Sequence, residues 1–378
     1  MKYMGSKRAM LSNGLGDAID HAVETANTVY DLFTGSGVVA CHIAERYEKR
    51  VVASDLQLFA TVLAGSIIQR TGPISKPNWQ DQWVTRAHKR LKSYGSWEQV
   101  EKHQAELDQN RPDSFANLGI ELAMEATDFP LTGAYGGYYF SPWQSMWLDA
   151  LRGTLPRDQA VKMVALASLI RAASRCAASP GHTAQPFKAN ATAGPFLIEA
   201  WKRPLPQLVL SEAGTLSKRH AKIAGEAICS DAMIVSQQIS EGDLVFLDPP
   251  YSGVHYSRFY HVLESVAQGK LGPVSGTGRY PPSEDRPWSE FSVITKSRQA
   301  FDSLLRSLAD KGASAIITFP AGNASNGLSG EQVKELASSH FSIQEEKVSS
   351  RFSTLGGDSK HRAARQDAQE LILTLGPR

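Results

Sequence analysis

The alternation of apolar and polar residues divides the chain into three zones. In the first, residues 1–72, TVYDLF (28–33) mixes β-branched, aromatic and aliphatic residues without polar alternation, which predicts a buried strand. Gly35-Ser36-Gly37 follows, then VVACHIAERYEKR, where Val38, Ile43, Ala44 and Tyr47 fall near helical spacing. RVVAS (50–54) predicts a second short strand ending at Asp55. LQLFATVLAGSIIQR predicts another helix, stopped by Gly72-Pro73. Strand, glycine turn, helix, strand, acid and helix together predict an α/β unit with a parallel sheet.

The second zone, residues 73–225, is polar and mostly helical in pattern. VKMVALASLIRAASRCAA (161–178) is a strongly apolar helix candidate, and SPGHTAQPFKANATAGPF, rich in Gly, Pro, Ser and Thr, predicts a loop. The α/β alternation is suspended here, so an inserted helical domain is expected. In the third zone, residues 226–378, the alternation resumes. DLVFLD (243–248) predicts a strand ending in Pro-Pro, and SRQAFDSLLRSLADKG (297–312) a helix ending at Gly312. ASAIITFP (313–320) and QELILTL (369–375) predict further strands, and VSGTGRYPPSEDRP (274–287) a surface loop.

Composition narrows the class of protein. At 378 residues the chain has room for two to three units or one large domain with an insertion. The 40 Lys+Arg and 38 Asp+Glu leave a formal charge of +2, which excludes a histone-like or polyanionic tail but allows local basic patches. Hydrophobic residues at 42% fit a soluble globular chain. Cys41, Cys176 and Cys229 are odd in number and far apart, which argues against a disulfide framework and for a reducing, cytoplasmic setting. No stretch approaches the ~20 apolar residues of a membrane span, and MKYMGSKRAM lacks the apolar core of a signal peptide. The histidines show no spacing such as HExxH, so no metal is expected.

Two motifs carry chemistry. Asp248-Pro249-Pro250-Tyr251 directly follows an apolar strand. The exocyclic amine of adenine is a poor nucleophile because its lone pair is delocalised into the ring. A carboxylate (Asp248) and a main-chain carbonyl (Pro249, held by two prolines of fixed φ) can accept its two hydrogens and draw the nitrogen toward tetrahedral geometry. Tyr251 offers a flat face for a base taken out of the duplex stack. The second motif, Asp31-Leu32-Phe33-Thr34-Gly35-Ser36-Gly37, joins strand to helix, where glycines let backbone approach a ligand. Asp55 follows Gly35 at the end of the next strand, where an acid can accept ribose hydroxyls. Gly35 to Ala40 also satisfies a relaxed GxGxxA dinucleotide fingerprint. Asp31 favours S-adenosylmethionine, because an acid suits its cationic amino acid moiety and would repel a pyrophosphate.

With these motifs the chain resembles the Dam-like family of DNA N6-adenine methyltransferases, in the arrangement where the cofactor half precedes the catalytic half. Lys2-Tyr3-Met4-Gly5-Ser6-Lys7 resembles its N-terminal motif, DLFTGSG its glycine motif, Cys229-Ser230-Asp231 its acidic segment, and DPPY its catalytic motif. His255 to His261, with Glu264 beyond, is similar to the segment after it. The resemblance covers roughly residues 1–70 and 226–378. It implies a Rossmann-like S-adenosylmethionine-dependent fold with an inserted, mostly helical target-recognition domain: residues 1–72 as cofactor half, 73–225 as insert, 226–378 as catalytic half. It implies Asp248, Pro249, Pro250 and Tyr251 as catalytic. Tyr3, Lys7, Asp31, Phe33, Gly35, Gly37, Asp55, Leu56 and Asp231 would face the cofactor, with Lys7 near its carboxylate and Asp231 near its adenine. The product would be S-adenosylhomocysteine. Duplex DNA would be gripped by basic clusters (Arg86, Lys89 and Arg90; Lys218 and Arg219; Arg351 and Arg362) and by His255 and Tyr256 over the flipped base. For each, a solvated charged face or a plain loop is the bland alternative. The strand ending Thr318-Phe319-Pro320-Ala321 departs from the Ser-Tyr-Ser type common in the family; Phe319 is either an aromatic contact or a core residue.

Rival readings differ in what they leave unused. N4-cytosine methylation uses the same amine chemistry in another pocket. C5-cytosine methylation lacks a Pro-Cys nucleophile. RNA or protein glutamine methylation also needs only a planar amine. A nucleotide-binding dehydrogenase gives DPPY and Lys7 no role, and intact Asp248, Gly35, Gly37 and Asp55 argue against a non-catalytic DNA-binding module. A restriction or defence partner would be a separate chain.

Overall fold

The computed structural model describes residues 7–126, 128–352 and 366–378, without the side chains of residues 350–352 and 366–368. Among the described residues seven strands are formed: β1 (Thr28–Asp31), β2 (Arg50–Asp55), β3 (Glu226–Cys229), β4 (Leu244–Leu247), β5 (Ser314–Pro320), β6 (Ser342–Phe352) and β7 (Gln366–Gly376). They make one sheet in the order β3-β2-β1-β4-β5-β7-β6. Pairings from β3 to β5 are parallel, and β7 runs antiparallel to both β5 and β6.

The helices are α1 (Leu15–Thr25), α2 (Val38–Arg46), α3 (Leu58–Ile68), α4 (Trp79–Lys92), α5 (Trp97–Ala105), α6 (Pro112–Glu125), α7 (Pro130–Tyr135), α8 (Pro142–Gly153), α9 (Gln159–Cys176), α10 (Gly194–Trp201), α11 (Leu205–Lys218), α12 (Ala232–Val235), α13 (Tyr256–Gln268), α14 (Ser297–Asp310) and α15 (Gly330–His340). The inner strands β1, β2, β4 and β5 lack polar alternation because both sheet faces are covered there. Tyr30, Val52, Val245, Leu247, Ile317 and Phe319 point one way, into a core completed by Phe301 and Leu304 of α14 and Val333 of α15. Helices α1, α2 and α3 give nothing to that core and pack on other positions of the strands. Helix α3 is buried from Phe59 to Ile68, which explains an apolar run with no polar stripe.

The order of strands decides where a ligand can sit. From β1 the chain moves outward to β2 and β3, then returns on the other side of β1 as β4 and continues to β5. The direction of winding reverses between β1 and β4, and such a switch opens a crevice at the carboxyl ends of the two strands. Asp31 ends β1, and Asp248 directly follows β4. Two motifs more than two hundred residues apart in sequence are thereby brought side by side.

The chain divides into two compact units. One holds the sheet and consists of Met4–Gly72, His220–Tyr256 and Pro287–Arg378; the other, built on Pro73–Arg219 and Ser257–Arg286, is helical. Segment Ser257–Arg286, grouped by sequence pattern with the catalytic half, thus packs with the helical unit. Arg152 explains part of this: it donates to the carbonyls of Val266, Ala267 and Gln268 at 2.9–3.1 Å, satisfying the open end of α13. Tyr135 and Ser265 exchange a buried hydrogen bond at 2.9 Å. Of the loop expected over 179–196, residues 179–193 form no helix or strand and 194–196 begin α10; Thr183 ties the loop down by donating to Phe259 O at 2.8 Å. No helix among the described residues is long and apolar enough to cross a membrane.

Candidate active site

The glycine turn after β1 is held from below. Gly35 and Gly37 take positive φ (48° and 73°). A Cβ on Gly37 would also lie 3.2 Å from the backbone of Ala64, so α3 can pack there only against glycine. Asp55 anchors the turn: its Oδ2 accepts the Gly35 N–H at 2.9 Å and its Oδ1 the Gln57 N–H at 2.9 Å. Beside it, Ser230 N donates to Asp55 O at 3.0 Å, and Asp231 caps α12 by accepting Met233 N at 2.8 Å. The Leu56 carbonyl accepts from Cys229 Sγ at 3.6 Å, and Phe33 packs edge-on against Phe291 with centroids 5.0 Å apart.

Asp31 is fully buried. The Thr34 hydroxyl donates to its Oδ2 at 3.0 Å, while Oδ1 has no hydrogen-bond partner. Burial pushes its carboxyl up to about 7, against the Thr34 hydrogen bond and with the help of the nearby Asp248 and Asp55 charges. Gln57 Nε2 is likewise buried and unpartnered. Orphaned polar atoms at a crevice mark a place where a ligand completes the bonding.

Asp248 is held by two groups that are remote in sequence, and a third, Glu370, shares one of them. Lys7 Nζ lies 3.0 Å from Asp248 Oδ1 and 2.9 Å from Glu370 Oε2. Thr318 donates its hydroxyl to the same Asp248 Oδ1 at 3.0 Å. Among the described residues nothing hydrogen-bonds to Oδ2. The Asp248 side chain keeps 17% of its surface open, whereas Lys7 and Glu370 keep 4% each. Burial pushes Asp248 up to about 6, with Lys7 opposing and Glu370 adding to the rise. Burial alone would lower the Lys7 pKa, but the two carboxylates overcome it and hold Lys7 above the ordinary lysine value. The ammonium expected on a cofactor carboxylate therefore spends two of its three donors on carboxylates of its own chain.

The loop after Asp248 is fixed by a residue that no sequence motif marks. Asn326, 1% exposed, donates from Nδ2 to Pro250 O at 2.9 Å and to Phe291 O at 3.1 Å. Its Oδ1 accepts Leu328 N at 3.2 Å, and its own N–H donates to Tyr251 O at 3.3 Å. The carbonyls of Pro250 and Tyr251 are thus engaged, and among the described residues no donor reaches that of Pro249. Tyr251 meets Phe319 edge-on at 6.4 Å, and Lys7 Nζ lies 5.7 Å from the Tyr251 ring centre. Phe319 is a fully buried core residue whose ring meets that of Tyr251.

The basic residues are more scattered. Arg86, Lys89 and Arg90 are exposed on α4 of the helical unit, where Arg90 lies over the Phe129 ring at 5.4 Å. Arg86 lines an open groove of about 520 Å³ with Lys76 and Arg157. Lys218 ends α11 and Arg219 follows it. His255 lies 6.0 Å from Trp288 and accepts from Ser289 N at 3.5 Å, and Tyr256 begins α13. Tyr3 and Arg362 lie outside the described residues, as does the side chain of Arg351.

Residues 3–272, which include both motifs, match the family described as D12 class N6 adenine-specific DNA methyltransferase. The chain belongs to this family. The D12 chain is similar to the type II methyltransferase M.FokI of Planomicrobium okeanokoites, 28% identical over 303 residues, which are 76% of this chain and 40% of that protein. It is also similar to the modification methylase StsI of Streptococcus sanguinis (26% over 287 residues, 73% and 37%). A third relative is the type II methyltransferase M.NlaIII of Neisseria lactamica (26% over 319 residues, 81% and 80%). The chain thus spans about two fifths of the first two relatives. Membership accounts for the mixed α/β fold with its seven-stranded sheet, that of an S-adenosylmethionine-dependent methyltransferase. Methyltransferases of the class use S-adenosylmethionine. Thr318, Asn326 and Glu370 of the D12 chain fall beyond the matched residues. Among the described residues no group of three or more His, Cys, Asp or Glu could hold a metal ion.

Proposed function

We propose that this chain transfers the methyl group of S-adenosylmethionine to N6 of adenine in duplex DNA, without a metal. The observation that carries the reading is the asymmetry of Asp248: both protein partners sit on Oδ1, leaving Oδ2 to accept a hydrogen from a substrate amine. The Pro249 carbonyl accepts the second hydrogen, and the Tyr251 ring receives the flipped base. Together they localise the nitrogen lone pair, an effect of position and electrostatics. As the N–C bond forms and the methyl–sulfur bond breaks, leaving S-adenosylhomocysteine, Asp248 takes the proton that nitrogen sheds and passes it to water. S-adenosylmethionine, when bound, supplies a methyl group already activated on a sulfonium.

The residues at the β1 turn fit that donor. Asp31 Oδ1 is a buried acceptor without a donor, suited to a cationic amino acid moiety. Asp55, Leu56 and Asp231 lie at the adjoining strand ends for the adenosine, and Phe33, Gly35 and Gly37 form the turn. Because Asp31 is pushed up to about 7, binding a cation there competes with a proton. From pH 6 to 7.5, the dissociation constant for S-adenosylmethionine, measured calorimetrically, is expected to fall about fivefold or more. Asp31→Asn should bind more weakly and with a flat profile; a flat wild-type profile would remove Asp31 from this role.

The helical unit is assigned to target recognition, with Arg86, Lys89, Arg90, Lys218 and Arg219 as candidate phosphate contacts, and cytoplasmic DNA is the setting. The names of the relatives support a restriction–modification role. The test is nucleoside mass spectrometry of unmethylated duplex DNA incubated with protein and S-adenosylmethionine. N6-methyladenine is expected; N4-methylcytosine would overturn the base assignment, and no modified base would overturn the reading.

A further inference from the structure

Within the helical unit, loop 274–287 carries a feature that the motifs do not include. Arg258, on α13, and Arg286, at the end of the loop, both lie over the ring of Tyr280, with guanidinium carbons 4.8 and 5.6 Å from its centre. Arg258 Nε donates to the Tyr280 hydroxyl at 3.2 Å, and that hydroxyl donates to Ala184 O at 2.5 Å. Arg286 Nε is buried and has no hydrogen-bond partner. Among the described residues no carboxylate pairs with either arginine. Even Glu284, two residues from Arg286, is engaged instead by the Ser283 hydroxyl at 3.1 Å.

The platform is rigid. Ser275 and Tyr280 exchange two backbone hydrogen bonds at 2.9 Å, and Arg279 Nε donates to Ala134 O at 2.7 Å. Tyr139 donates to Gly278 O at 2.9 Å, and a Cβ on Gly278 would lie 2.3 Å from Tyr280 Cζ, so the loop closes on the ring only with glycine there. Two guanidiniums are therefore gathered around one ring, and among the described residues no carboxylate balances them. Their field registers on His261: burial, with Arg286 and Arg258 adding, pushes it down to about 4 despite carbonyl partners on both ring nitrogens. An anion beside this ring would balance the two charges and give the orphaned Arg286 Nε an acceptor.

We infer that Arg258, Tyr280 and Arg286 form a phosphodiester clamp for the backbone of the DNA substrate. This rests on the DNA reading above. It adds a backbone grip on a segment that the sequence pattern groups with the catalytic half to the candidate contacts on α4 and α11. The clamp carries no base information and positions the duplex.

The experiment measures fluorescence anisotropy of a labelled duplex of about 20 base pairs, titrated with the full chain across a range of salt. Arg258→Ala/Arg286→Ala should weaken binding at least about tenfold. It should also flatten the plot of log affinity against log salt by about one to two units. Arg258→Lys/Arg286→Lys, which keeps charge and guards against misfolding, should recover the salt slope but not the full affinity. Wild-type affinity and slope in the alanine variant would overturn the clamp, as would a lysine variant no better than alanine. N6-methyladenine production by the wild type on the same duplex is scored in parallel. If it persists while the slopes coincide, the clamp alone falls; if the wild type neither binds nor methylates the duplex, both inferences fall.

Discussion

Asp248→Ala is expected to lower methylation of duplex DNA by about a thousandfold or more. The fold should survive for a reason of charge. Lys7, Asp248 and Glu370 together carry one excess negative charge in a nearly closed site, and the substitution leaves Lys7 and Glu370 as a neutral pair. The melting temperature should stay at or above that of the wild type, and S-adenosylmethionine should still bind. Single-turnover rates with saturating DNA make the comparison. Activity within about tenfold of wild type would exclude Asp248 as the acceptor of the amine hydrogen. In the wild type the rate should climb as pH rises through about 6, where Asp248 loses its proton.

The second large effect is expected from Lys7→Met. It removes the cation and leaves two buried carboxylates facing each other, a loss of about 3–5 kcal/mol in urea unfolding. The sign with pH follows from the direction of the shift. Without Lys7 the folded-state pKa of Asp248 moves further above its unfolded value, so stability is kept at low pH and lost as pH rises through that raised pKa. The penalty should therefore be larger at pH 8 than at pH 5. Adding Glu370→Gln to Lys7→Met should restore part of it, because the repulsion is between those partners. Unfolding at the wild-type urea concentration would show that Lys7 contributes nothing to stability.

What the sequence discloses about this site is what lies close together along the chain. The strand–glycine turn–helix pattern placed β1, α2 and β2, and Asp55 was legible because it ends the next strand. DPPY was legible as a tetrapeptide. Thr318, Asn326 and Glu370 were not, since each acts at 70 or more positions from its partner, and nothing near a lone threonine, asparagine or glutamate advertises that partner. Strand β6 was missed for another reason. Among residues 342–349 of SIQEEKVSSRF only Val348 is buried, because an edge strand turns charge outward and shows no apolar run. The helical affiliation of Ser257–Arg286 was hidden because α13 continues directly from the catalytic loop, and sequence order carried it into the wrong neighbourhood.

Lys7 and Glu370 stand 363 positions apart. A chain emerging from the ribosome presents Lys7 well before Asp248, and the second carboxylate arrives only with β7. Contacts of such long sequence separation form late, after the loop-closure entropy of nearly the whole chain has been overcome. The charge balance around the reacting carboxylate is therefore a test of completed folding: a partly synthesised or partly folded chain can present both motifs and still lack the arrangement that sets Asp248.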